Sequence, residues 1–224
     1  MIKTYPANSP LPALNKIDSL IWDWNGTLLD DVDVNLKVIN KILSIRELKP
    51  LYLDKYKDSF CFPVQLFHRS IGLDFEKESI EDISAEYHIT YKLYENSIKL
   101  NANTTFVLDA IQNMGIRQYI LSASMKDDLM KMLHYYNLTD KFTGIYGAGD
   151  ICATGKVDIG KQMMLDHSLN PNNTLIIGDT LHDAEVARSL GVHHLLYSGG
   201  HNSYDLLIKK SRVITSLKEI LSLS

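Results

Sequence analysis

Cysteine is scarce in this chain. Cys61 and Cys152 are the only two in 224 residues, too few for a disulfide framework, so both read as small apolar residues in a protein of a reducing compartment. Long hydrophobic runs are missing as well. No segment reaches the roughly 18 to 20 apolar residues of a membrane-spanning helix. The first 16 residues carry Pro6, Pro10 and Pro12 rather than the apolar stretch of a signal peptide. Nor is there a basic excess: 23 Lys and Arg against 27 Asp and Glu leave a formal charge of −4. That removes the electrostatic reason to expect nucleic acid or an anionic membrane as partner. Repeats and low-complexity tracts are absent. The length allows one large domain, or a domain with a smaller one inserted. The expectation is a cytoplasmic protein, monomeric or homodimeric, without nucleic-acid or membrane partners.

What the chain does have is a run from Ser19 to Trp22 that is largely apolar and ends abruptly in Asp23. Asn25, Gly26 and Thr27 follow, and then a helical pattern. This reads as a buried strand, residues 17–23, delivering Asp23 to its tip, with Gly26 turning the backbone. From residue 30 onward Val34, Val38, Ile42 and Ile45 recur at helical spacing. Residues 51–101 show no strand pattern and read as short helices, with Pro63 starting one and Gly72 breaking another. After residue 103 helices and strands alternate: strands at 117–122, 142–146, 174–177 and 192–196, with helices between them and a terminal helix. That rhythm predicts an α/β fold, a doubly wound parallel sheet with helices on both faces. About 70 helical residues between the first two strands exceed a crossover and predict an inserted α-helical cap. The expected division is a core of residues 1–29 and 101–224 and a cap of residues 30–100.

A second apolar run, Leu175 to Ile177, ends in Gly178 and Asp179, with Asp183 four residues on. Helix capping accounts for one of these aspartates. A hard cation such as Mg²⁺ is held by one or two carboxylates together with substrate phosphate and water. In open α/β sheets ligands sit beyond the carboxyl ends of the strands, where Asp23 and Asp179 both fall.

Asp23-Trp24-Asn25-Gly26-Thr27-Leu28 resembles the first motif, D-x-D-G-T-[LV], of the haloacid dehalogenase-like hydrolases. Gly178-Asp179 through Asp183 is similar to the fourth, G-D-x-x-x-D. The helical insertion looks like the α-helical cap of phosphoglycolate-phosphatase-like members. The resemblance implies a phosphatase acting on a small phosphorylated metabolite through an aspartyl phosphate on Asp23. It implies Mg²⁺ held by Asp23, the main-chain carbonyl of Asn25 and Asp179, supported by Asp183. Gly26, Thr27, Ser122 and Lys156 would bind the phosphate. Without the resemblance, Ser122 reads as a helix cap and Lys156 as a surface lysine, and Lys161 competes with Lys156 for the role.

The chain departs from the family at Asn25, where an aspartate would carry the proton. An amide neither gives nor takes one at neutral pH, and losing a general acid–base costs about 10² to 10⁴ in rate. The alternatives are a slow phosphatase or one with a good leaving group, a substitute among His182, Asp30 and Asp31, or a protein that binds a phosphorylated metabolite without turning it over. The plain reading puts His182 on a helix surface and Asp30-Asp31 at a helix N-terminus. Tyr87, Tyr91 and Tyr94 read as cap packing. The loop from Tyr197 to His201 reads as a strand-tip loop bordering the site. Lys49, Lys55 and Lys57 read as solvated charges on the cap.

Overall fold

The computed structural model describes residues 11–149 and 155–223. Cys152, Pro6 and Pro10 therefore lie outside the described residues, while Cys61 is exposed. The order is β1 (Ser19–Trp22), β2 (Leu29–Asp30), α1 (Val32–Ile45), α2 (Leu53–Ser59), α3 (Val64–Ser70), α4 (Ile80–Lys92) and β3 (Lys99–Leu100). Then come α5 (Thr104–Asn113), β4 (Arg117–Met125), α6 (Lys126–Tyr135), β5 (Gly144–Ala148), α7 (Lys156–Asp166) and β6 (Thr174–Gly178). The chain closes with α8 (Leu181–Leu190), β7 (His193–Tyr197), α9 (Tyr204–Leu207), β8 (Val213–Ile214) and a 3₁₀ run, Leu217–Ser222.

Six parallel strands form one sheet in the order β5-β4-β1-β6-β7-β8. β1 is central and fully buried, with Ser19 beside Arg117 on one side and Thr174 on the other. Burial on both faces explains why its sequence shows an unbroken run rather than alternation. Side chains of a strand point alternately to the two faces, and the packing follows this rule. Leu20, Trp22, Ile120, Leu175 and Ile177 join α5 and α6 on one face. Ile21, Tyr119, Leu121 and Ile176 join α7 and α8 on the other. Each fully buried aliphatic side chain contributes about 1.5–3 kcal/mol of transfer free energy.

A separate cluster holds α1 to α4 together around Val38, Ile42, Tyr56, Phe67 and Ile83. The buried stripe of α1 is Val38, Ile39, Ile42 and Leu43. Ile45, expected in that stripe, is instead exposed, because the buried face turns one residue earlier. A second correction concerns β2 and β3, which pair antiparallel where the cap pattern leaves and re-enters the sheet. Two-residue strands have too little length to show a period.

The remaining corrections are shifts. β4 runs on to Met125 because its pairing with β5 slips between Leu121 and Met125. Such a bulge bends the strand and re-aims its side chains; Ser122, Ala123 and Ser124 all reach the cavity described below. β5 begins at Gly144, two residues later than the expected start at 142. The expected terminal helix is only the 3₁₀ run, capped by Ser216 and Glu219. Among the described residues no helix is long and apolar enough to cross a membrane.

Candidate active site

The chain order along the sheet reverses around β1: it runs to β4 and β5 on one side and then crosses to β6 on the other. Ligands sit at such a switch point, beyond the carboxyl ends of the strands. Asp23 comes directly after β1, and its N–H donates to Ile177 O at 2.9 Å. Leu28 and Leu29 N–H both donate to Trp24 O, closing the turn. Gly26 has φ +77°, and a Cβ there would run into the Asp179 carboxylate and the His201 ring. Only glycine meets both conditions without strain.

Asp179 follows β6 in the same way. The Thr27 hydroxyl lies 3.2 Å from Asp23 Oδ2 and 3.0 Å from Asp179 Oδ1, one proton between two carboxylates. The backbone N–H of His201 donates to Asp179 Oδ2 at 2.5 Å. A Cβ at Gly200 would clash with Asp179, so the glycine lets this loop close on it. Asp183 caps α8: its Oδ2 accepts from Thr180 N–H (3.0 Å) and Thr180 Oγ1 (2.7 Å). Its Oδ1 lies 2.6 Å from Lys156 Nζ, which also reaches Asp23 Oδ1 at 2.7 Å. Lys156, the first residue of α7, is thus the lysine brought to Asp23. Lys161 sits at the surface beside Asp158.

Oxygens of Asp23, Asp179 and Asp183 lie within 4.8 Å of one another, all buried. Burial works against a charged Asp183, but Lys156 and the Thr180 hydrogen bonds outweigh it and hold its pKa low. Burial likewise works against the Lys156 charge, and the two carboxylates outweigh it. Asp23 is raised by burial, only partly offset by Lys156. Asp179 is raised well above the usual carboxylate range, again by burial. These two carboxylates are under-compensated, and this is the condition a divalent oxygen-binding cation would relieve. The donor set fits Mg²⁺.

Beside this cluster lies a network that the sequence reading did not find. Asp31 is fully buried and makes no side-chain cap bond to α1. Its Oδ2 accepts from Asn25 Nδ2 (2.7 Å), Asn35 Nδ2 (2.7 Å) and Tyr91 Oη (3.0 Å). Its Oδ1 accepts from Gly26 N–H (2.8 Å) and faces His201 Nε2 at 3.2 Å. Asp31 thus stands at the N-terminus of α1, as expected, but it is buried there and its carboxylate serves this network. Burial opposes the His201 charge, but Asp31 outweighs it and raises the pKa to about 9; His201 in turn holds Asp31 low against its own burial. The other ring nitrogen of His201 meets Tyr56 Oη at 2.8 Å. Asn25 is held at both ends, since its Oδ1 accepts from Ser124 Oγ at 2.5 Å. The available sequence signal was the pair Gly199-Gly200 before a histidine at a strand tip.

The other expected residues fall as follows. Ser122 is buried, lines the cavity, and its Oγ accepts from Ser124 N–H at 3.0 Å; Met125, not Ser122, is the N-cap of α6. Gly26 and Thr27 stand beside Asp23, but the Gly26 N–H is engaged by Asp31 and Leu29 O, and the Thr27 hydroxyl by carboxylates. His182 lies 3.3 Å from Glu185 and stacks on Phe62. Lys57 turns to Ser198 O, while Lys49 and Lys55 are exposed.

The sequence model of the haloacid dehalogenase-like hydrolase family matches residues 20–197. The chain belongs to this family. It is 26% identical over 193 residues to a phosphoglycolate phosphatase of Rhodobacter capsulatus, covering 84% of this chain and 87% of that protein. Among solved structures, a Bacteroides fragilis protein described as a haloacid dehalogenase-like hydrolase superposes with a TM-score of 0.78 at 19% identity, covering 91% and 99% of the two chains. The Mycobacterium tuberculosis Protein Tyrosine Kinase A superposes at 0.76 and 19%, covering 92% and 97%. At these identities the structural likeness speaks for the fold, and the chemistry has to be argued from the site.

Proposed function

We propose that this chain is a Mg²⁺-dependent hydrolase of small phosphomonoesters, working through an aspartyl phosphate on Asp23. The observation that carries this reading is Lys156 Nζ bridging Asp23 and Asp183 at 2.7 and 2.6 Å, with Asp179 alongside, at the switch point of the sheet. The lysine favours the ionised form of Asp23 against its burial and orients it for attack on phosphorus, and its charge favours the incoming phosphoryl group. Asp23, Asp179 and the main-chain carbonyl of Asn25 would hold Mg²⁺, which when bound offsets negative charge on the transferring group. Asp183 acts through Lys156. Ser122 would donate to a phosphoryl oxygen, and Gly26 and Thr27 would shape the turn that carries Asp23.

In the first step a carboxylate oxygen of Asp23 bonds to phosphorus as the bond to the alcohol oxygen breaks. Water then cleaves the acyl phosphate, giving inorganic phosphate and restoring Asp23. Asn25 can carry no proton in either step. We further propose residues 1–29 and 101–224 as the core and residues 30–100 as a cap that closes over the site and excludes water. The name of the Rhodobacter relative points to phosphoglycolate as one substrate to try. Position 25 favours a second reading, a protein that binds phosphorylated compounds without turnover.

Phosphate release with Mg²⁺, compared between wild type and Asp23→Asn, separates the two. The hydrolase reading expects release that drops by on the order of 10⁴-fold or more in the variant. Wild-type protein that binds inorganic phosphate and Mg²⁺ yet releases nothing would favour the binding reading.

A further inference from the structure

The cavity measures about 200 Å³ with the phosphoryl end included, and its lining also holds Phe60, Phe62, Val64 and Phe67 from the α2–α3 region and Met125 and Leu129 from the start of α6. The phenylalanines pack on one another: Phe60 lies 5.5 Å from Phe62 and 5.3 Å from Phe67, centroid to centroid. An apolar cavity of about 150 Å³ accepts a benzene ring, so the whole cavity suits one small ring together with its phosphate rather than a larger leaving group.

Among the described residues lining the cavity, both lysines and His201 already face carboxylates. Lys156 lies between Asp23 and Asp183, and His201 faces Asp31. Lys92, half-exposed, pairs with Asp128 at 3.5 Å. His68 is buried, and burial lowers its pKa to about 4, so it is neutral at pH 7. His88 lies edge-on to the Tyr87 ring. Glu95 and Asp128 also line the cavity. A carboxylate on the leaving group would lose water and meet apolar walls, the acids, and the polar groups of Asn35, Tyr87 and Tyr91, whose protons are already given to one another and to Asp31, a costly exchange.

Asn25 supplies an independent argument. With no proton donor there, an alcohol that must leave as an alkoxide is penalised, whereas a phenol, with a pKa of about 10, can leave as its anion. We infer that the preferred substrate class is an aryl phosphomonoester with a small uncharged ring, and that the site discriminates against leaving groups bearing a carboxylate, glycolate included. The inference rests on the hydrolase reading. The Asp23–phosphorus bond forms as the phosphorus–aryl oxygen bond breaks, the electron pair leaves on the phenolate, and water outside the site protonates it.

The test compares phenyl phosphate with 4-carboxyphenyl phosphate and 2-phosphoglycolate, in kcat/KM with Mg²⁺. The two aryl esters have similar leaving groups and differ in charge. Phenyl phosphate is expected to lead both by about tenfold or more, a discrimination of the size a pocket contact supplies. Met125→Lys is expected to narrow the gap between the aryl esters by about tenfold by placing a cation in the wall; Met125 is half-buried and outside the packed clusters. Equal or reversed preference in wild type, or a ratio unmoved by Met125→Lys, overturns the inference while leaving the hydrolase intact. If no compound is hydrolysed, calorimetric binding to wild type with Mg²⁺ decides. Tighter phenyl phosphate then upholds the pocket assignment and counts against turnover, and binding of none overturns both.

Discussion

Two buried charge clusters meet at Gly26, and they are balanced differently. On the sheet side, Asp23, Asp179 and Asp183 share one lysine. On the helical side, Asp31 and His201 form a closed pair in which each charge has its partner and further hydrogen bonds. The first leaves two carboxylates raised by burial; the second holds one carboxylate low and one imidazole high. Uncompensated buried charge belongs where a ligand completes the site, and satisfied charge where the fold must be fixed. The difference teaches that buried aspartates a few residues apart in sequence, Asp23 and Asp31, can have opposite roles.

The largest effect on this contrast should come from Lys156→Met, which leaves Asp23 and Asp183 without their cation. Breaking a buried pair in this way costs roughly 3–5 kcal/mol. Urea unfolding without metal at pH 7 should register the loss. It should shrink toward pH 5, where the stranded carboxylates take up protons. A loss that does not change with pH would mean the lysine matters for packing alone.

His201→Asn probes the balanced cluster. The folded pKa of about 9 stands above the ordinary 6.5, so the charged pair stabilises fully below pH 6.5 and its contribution fades as pH rises through 9. The shift corresponds to roughly 3 kcal/mol. The stability gap between wild type and variant should be widest near pH 6 and close by about pH 10. A gap constant across that range would contradict the ion pair.

Position 25 joins the two clusters. Asn25→Asp would set a second carboxylate against Asp31 Oδ2, now 2.7 Å from Asn25 Nδ2, and the two would share a proton. Exchanging the pair, Asn25→Asp with Asp31→Asn, keeps the hydrogen bond and gives position 25 its own titrating group. Steady-state turnover should rise by about 10² in the double variant and by less in the single one. No gain in either would mean that proton transfer at this position does not limit the rate.

Legibility in the sequence followed the range of the contacts. Asp23, Asp179 and Asp183 could be read because each sits in a local pattern of apolar run, glycine and acid. Lys156 was resolved from Lys161 only by where α7 begins. The helical α1–α4 block could be read from its pattern, but β2 and β3 were too short to show one. Asp31 and His201 are 170 residues apart, and nothing local marks either as the other's partner. Tyr91 was legible as packing, but its hydroxyl's bond to Asp31 was not. Ser124 reaches Asn25 only because β4 bulges, a feature set by its pairing with β5.

The central claim is that Asp23 attacks phosphorus. Rapid mixing of wild-type protein, Mg²⁺ and excess phenyl phosphate measures it directly through released phenol. The account predicts a burst approaching one phenol per active site, then a slow phase set by hydrolysis of the aspartyl phosphate without a base at position 25, and no burst in Asp23→Asn. Phenol release by Asp23→Asn at the wild-type rate would contradict it.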